Sequence, residues 1–134
     1  MTRLDSLTPL LIVDAIEPQL VFWCERLGFN RTEEVPDDGA IGFVILEKDG
    51  HTLMLQSRRS VEKDEPKALA GGMPRGHLFL VVQELDEVIG SLEGYEQVME
   101  RRTTFYGMAE VAYRDPAGNW ITFAQQMATT IGPG

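Results

Sequence analysis

A chain of 134 residues has the size of one ordinary domain, and 43% hydrophobic with 25% charged residues is a globular composition, neither disordered nor fibrous. A net charge of −9 argues against nucleic acid, whose phosphates call for clustered Lys and Arg, and against an anionic membrane surface. No apolar run approaches the ~20 residues of a membrane span, and the single cysteine, Cys24, excludes an internal disulfide and fits a reducing cytoplasm. The acidic balance reads either as plain solubility or as attraction for a cationic ligand.

The N-terminal "TPLLIV" is a run of branched apolar residues followed by acids with no small-residue cleavage site, and it reads as a strand rather than a signal peptide. Ile16, Leu20, Trp23 and Leu27 then recur at spacings of three and four, which predicts one helical face closed by Gly28. Phe22 and Trp23 belong to the helix-to-sheet core. A short strand follows at about 30–35. "FVILEKDGHTLMLQS" reads as a hairpin turning at "KDG", which leaves His51 in solvent. The stretch 58–76 is charged and then rich in Gly and Pro, so it reads as a linker, with a helical turn allowed in "VEKDEPKALA".

The same order then repeats. "TPLLIVDAIEPQLVFW" (8–23) lies on "HLFLVVQELDEVIGSL" (77–92) without a gap, His77 falling on Thr8. Leu85, Ile89 and Leu92 mark the second helix and Gly94 ends it; a short strand is expected at 97–103. "EVAYRDPAGNWITFAQQ" is a second hairpin whose "DPAGN" turn is preset by proline and glycine, and setting Gly50 on Gly118 puts Met54 opposite Thr122. The fold class is therefore α+β, two tandem βαβββ modules in one domain over 1–134. Module one covers about 6–57, the linker about 58–76 and module two about 77–127. Two four-stranded sheets, each with a helix on one face, leave their other faces to line a cavity.

This pair of modules, with "FWCERLGF" after the first strand and "RDPAGNWITF" near the end, resembles the vicinal oxygen chelate superfamily over residues 8 to 126. That superfamily includes glyoxalase I, extradiol dioxygenases and the bleomycin-resistance proteins, and the resemblance implies its fold and a homodimer. In metal-dependent members the ligands occupy the start of the first strand and the middle of the last strand of each module. Carried onto this chain, those places are Thr8, or Leu7 if the register slips by one, then Met54, His77 and Thr122. A hydroxyl is a poor ligand and a thioether suits copper(I), so only His77 is competent for a hard or borderline divalent ion. Gln56, Glu47 and Glu110 are the neighbours from which a displaced site would have to be built. The expectation is no metal and no other cofactor.

His77 then reads as a polar group in a ligand cavity or as an ordinary strand-edge residue. Strand alternation gives it Phe79 as a companion, beside Thr8 and Leu10 from the first strand and Met54, Gln56, Trp120 and Thr122 from the last strands. Phe105 and Tyr106 border the mouth in "RRTTFYGM", either stacking on a planar ligand or packing on the sheet edge. Arg101 and Arg102 offer charge for an anion or form a solvated face, and Cys24 lacks an activating base. The same apolar wall is compatible with a closed core. The function expected is a metal-free small-molecule-binding protein of the glyoxalase/bleomycin-resistance type that sequesters a drug or metabolite, cytoplasmic and tied to antibiotic resistance. The alternative is a lyase, isomerase or dioxygenase of the same superfamily acting on a small organic substrate.

Overall fold

The structure is a computed structural model that describes residues 2–127. The chain divides into two compact units, Met1–Arg75 and Gly76–Gly134. The first carries β1 (Leu10–Val13), α1 (Ile16–Leu20), a π-helical turn (Val21–Arg26), β2 (Asn30–Asp37), β3 (Ala40–Lys48), β4 (His51–Ser57), α2 (Arg58–Asp64) and a 3₁₀ turn (Pro66–Leu69). The second carries β5 (His77–Val81), α3 (Leu85–Ser91), β6 (Gln97–Thr103), β7 (Met108–Arg114) and β8 (Trp120–Gln126).

In the first unit the sheet order is β1-β4-β3-β2, with β1 parallel to β4 and the other pairs antiparallel. Alternation decides its two faces. Leu11, Val13, Val44, Leu46, Leu53 and Leu55 are buried on the face that α1 covers, together with Ile16, Phe22 and Trp23. Each such side chain stabilises the fold by roughly 1.5–3 kcal/mol relative to exposure.

The first helix is not one regular α-helix, as its three-and-four spacing predicts, but one α-helical turn that widens into π geometry from Val21. Gln19, Phe22 and Trp23 all lie inside, and the Trp23 indole donates to Gln19 Oε1 at 3.0 Å. The Gln19 Nε2 has no partner among the described residues. Gly28, at φ +81°, ends this helix, with its N–H on Cys24 and the N–H of Phe29 on Trp23.

The stretch expected to be a linker is half structured. Ser57 Oγ caps α2 by accepting from Ser60 N at 3.2 Å, and Val61 is buried where α2 meets β1, β3 and β4. One N-cap and one apolar anchor thus fasten residues 58–64 to the first unit.

The second unit repeats the order as β5-β8-β7-β6. Its helix-covered face buries Ile121, Phe123, Val111 and Tyr113 with Leu85 and Leu92. The repeat extends to register: Leu10 opposes Met54 as Phe79 opposes Thr122.

Candidate ligand-binding site

In the second unit the "DPAGN" turn positions the site. Asp115 is 4% exposed, and its carboxylate accepts from Ala117 N (3.0 Å), Asn119 N (2.8 Å) and Asn119 Nδ2 (2.9 Å). The Asn119 side chain, oriented in this way, accepts from Gly76 N at 2.5 Å, while Trp120 N donates to Gly76 O. The start of β5 is thereby clamped against β8, which fixes the backbone of His77.

The helix-free face can be read in cross-strand rows. His77 opposes Trp120 and Trp120 opposes Arg114; Phe79 opposes Thr122 and Thr122 opposes Ala112; Val81 opposes Ala124 and Ala124 opposes Glu110. A hydrogen-bonded chain runs across the first two rows. The Trp120 indole donates to Thr122 Oγ1 at 2.9 Å, and His77 Nε2 lies 3.3 Å from the same oxygen. The His77 and Trp120 rings stand 5.8 Å apart, and the Arg114 guanidinium sits 5.8 Å from the Trp120 centroid. Beside this chain, Phe79 is 52% and Val81 64% exposed, so the strand offers apolar surface next to a fixed polar cluster.

The third row holds a group whose partners spacing alone did not supply. Glu110 is 1% exposed; one of its oxygens takes the Arg102 guanidinium at 3.1 Å and the other the Tyr106 hydroxyl at 2.6 Å. The hydrogen bond to this carboxylate holds the Tyr106 proton, so its phenol titrates above the ordinary value. A register shift between Met99 and Arg102 in β6 brings Arg102 opposite Glu110. Arg102 is therefore an ion-pair partner rather than an open anion receptor, and Arg101 is engaged by Asp86. Phe105, at the tip of the β6–β7 hairpin, is fully exposed and stands T-shaped to the Tyr106 ring at 5.0 Å, so it does not pack on the sheet edge.

In the first unit the helix-free face carries Leu10, Met54 and Ile45 in one row and Ile12, Gln56 and Phe43 in the next. Leu10 is exposed, and Met54 and Gln56 are half-buried. Thr8 precedes β1 and is half-buried; the adjacent Pro9 carbonyl accepts from Met54 N. Gln56 Nε2 donates to Ser60 Oγ at 3.1 Å, and His51 lies in solvent. Where α2 meets the β2–β3 hairpin, a groove of about 500 Å³ opens over Val35, Pro36 and Phe43. Sequence reasoning missed it; the available signal was the alternation of β3, which puts Phe43 on the face of Gln56.

The donor set does not suit a divalent ion. Thr122 presents a neutral hydroxyl already tied to Trp120 and His77, and Met54 presents a thioether. Both Glu110 oxygens are taken, and Glu47 accepts the turn N–H of Gly50. Among the described residues no three His, Cys, Asp or Glu side chains group around a common point.

Two tandem four-stranded modules, each with strand order first-last-third-second and a helix on one face, define the glyoxalase-type fold class. The family model of the Glyoxalase/Bleomycin resistance protein/Dioxygenase superfamily matches residues 3–123, and the chain belongs to that superfamily. Among solved structures, TioX from Micromonospora sp. ML1 is similar at a TM-score of 0.75 and 19% identity, covering 92% of this chain and 99% of its own. A lactoylglutathione lyase from Agrobacterium tumefaciens is similar at 0.71 and 18%, covering 92% and 96%. A virulence protein from Salmonella typhimurium is similar at 0.67 and 23%, covering 94% and 100%. No curated protein matches the chain. No helix among the described residues is long and apolar enough to cross a membrane.

Proposed function

We propose that the chain binds a small organic molecule on its helix-free sheet faces, without a metal, and sequesters a drug or metabolite as a cytoplasmic homodimer. The observation that carries this reading is the Trp120–Thr122–His77 chain beside exposed Phe79 and Val81. It supplies an apolar bed with a small, pre-oriented polar cluster, the make-up of an organic-ligand site. His77 Nε2 lies 3.3 Å from a neutral threonine hydroxyl, where a metal site of this family would need a carboxylate. Phe105 and Tyr106 add exposed aromatic surface to the same unit.

The alternative, a lyase, isomerase or dioxygenase, draws on the buried Glu110 and its Tyr106 hydroxyl, a carboxylate and a proton donor held in contact. Metal analysis followed by titration with manganese, zinc and iron(II) separates the two. No stoichiometric binding is expected, and binding lost in His77→Ala overturns the metal-free reading. Expression in a sensitive host against a drug panel, with Phe79→Ala and Trp120→Ala as binding-defective variants, tests sequestration. No protection and no thermal shift across the panel refutes it. Sedimentation equilibrium tests the dimer.

A further inference from the structure

In the first unit α2 borders the helix-free face: Ser60, Lys63 and Asp64 form one wall of the groove over Val35, Pro36 and Phe43. That wall is held mostly by charge. Val61 is the one buried residue of α2, Ser60 is half-buried and the others are exposed. Arg59 and Lys63 stand four apart, on one side of the helix, and both reach the β2–β3 hairpin. Lys63 Nζ lies 2.5 Å from Asp37 and 3.0 Å from Asp38, and Arg59 lies 3.8 Å and 2.8 Å from the same two carboxylates. Three of these four side chains are more than half exposed, so salt screens the pairs.

The two sides of this latch differ in stiffness. Asp37 pairs with Ala40 across a two-residue turn in which Asp38 (φ +49°) and Gly39 (φ +83°) are both left-handed, the tight geometry that suits a hairpin. The carboxylates are therefore presented by a rigid turn. α2 has seven residues, too few to be stable as a helix by itself. Beyond it, Pro66–Leu69 buries nothing and Gly71 and Gly72 are exposed, so the chain that follows adds little anchorage. When the pairs weaken, α2 is the part that moves, about Ser57.

We propose that α2 is an ion-latched strap, which lifts from the sheet when its charges are screened and is held down by a ligand lying in the groove. This regulation rests on the reading of the helix-free faces as ligand surface. Lifting takes Ser60, Lys63 and Asp64 out of the groove wall, so a ligand there favours the seated strap. By the same coupling it slows the opening.

Amide exchange of residues 62–65 follows the strap without any ligand, the Glu65 N–H being bonded to the Val61 carbonyl. Raising sodium chloride from about 0.01 M to about 1 M shortens the Debye length from about 30 Å to about 3 Å. Exchange of 62–65 should then quicken about tenfold, the combined scale of two exposed ion pairs, while amides of β3 and β4 keep their rates. The double variant Asp37→Asn/Asp38→Asn removes the latch charges, and asparagine accepts the left-handed turn. Its 62–65 amides should exchange fast at low salt and ignore added salt. Val61→Ala should quicken exchange at both salts and preserve their ratio. Salt-independent exchange in the unsubstituted chain, or a double variant that exchanges as that chain does, overturns the latch. N-phenyl-1-naphthylamine, a neutral apolar dye, tests the coupling: at about tenfold its Kd it should slow the opening about tenfold. Dye that binds and leaves 62–65 exchange unchanged overturns the regulation. Dye that does not bind overturns the ligand-surface reading and the regulation with it, while the salt dependence still establishes the latch.

Discussion

Asp115 organises more of the second unit than its place in a turn suggests, and Asp115→Ala measures how much. Its buried carboxylate accepts two backbone N–H groups and the Asn119 amide, and Asn119 in turn holds Gly76 N beside His77. The substitution leaves three donors without their acceptor, two of them on Asn119, which is 1% exposed. Hydrogen bonds of this kind contribute about 1–1.5 kcal/mol each, and more to a charged partner, with part recovered by entering water and by no longer burying the carboxylate. The net loss is about 3 kcal/mol. For a chain of 134 residues the unfolding entropy is about 0.3 kcal/mol/K, so Tm should fall by about 10 °C. Urea and thermal unfolding followed by circular dichroism give both numbers, with Pro116→Ala, at an exposed position of the same turn, as the control: it keeps every Asp115 hydrogen bond and should lose only about 0.4–1 kcal/mol with the preset φ. The His77 ring resonances should shift in Asp115→Ala and not in the control. A loss below about 0.5 kcal/mol, with His77 unmoved, refutes the claim that this turn positions the site.

Gly42→Ala should cost about 1–3 kcal/mol in urea unfolding, because its Cβ is driven into Asp37 and Ser60; a neutral result means that the hairpin and α2 give way easily. Tyr106 should form its phenolate above the ordinary value because of the hydrogen bond to Glu110, and Glu110→Gln should bring it back down. The folded value is raised, so the contribution to stability is fully present below the unfolded phenol pKa and is lost as pH rises through the folded one. Phenolate absorbance compared with Tyr106→Phe checks this, and titration at or below the ordinary value refutes the contact. Burial raises the Cys24 thiol, which the charge of Arg31 only partly opposes. Alkylation by iodoacetamide at neutral pH should therefore run several-fold slower than that of a small free thiol and climb only beyond the usual thiol range; a rate equal to the free thiol contradicts the burial.

The sequence by itself determined the two-module fold, because its signals are local. The ungapped match of 8–23 on 77–92, the glycines at 28 and 94 and the "KDG" and "DPAGN" turns each act within a few residues, and together they mark the elements and make Met54 the counterpart of Thr122; the parallel Leu10–Met54 and Phe79–Thr122 registers are set by the tertiary fold. Strand alternation likewise put His77, Phe79, Trp120 and Thr122 on one face, and the repeat showed that His77 lacked ligand-type counterparts. Only the tertiary structure decided what each polar group does. Whether Arg102 faces solvent or Glu110 turns on a register shift in β6, which no periodicity announces. Whether 58–64 is linker or helix turns on Ser57 as cap and Val61 finding a buried place against β1, β3 and β4. Asp37 and Asp38, at the β2–β3 hairpin, find Lys63 and Arg59 on α2, more than twenty residues along the chain. Helical spacing announces the Arg58–Glu62 pair, four residues apart on α2, but Asp37–Lys63 and Arg102–Glu110 are brought together by tertiary packing and strand register, which sequence distance does not announce.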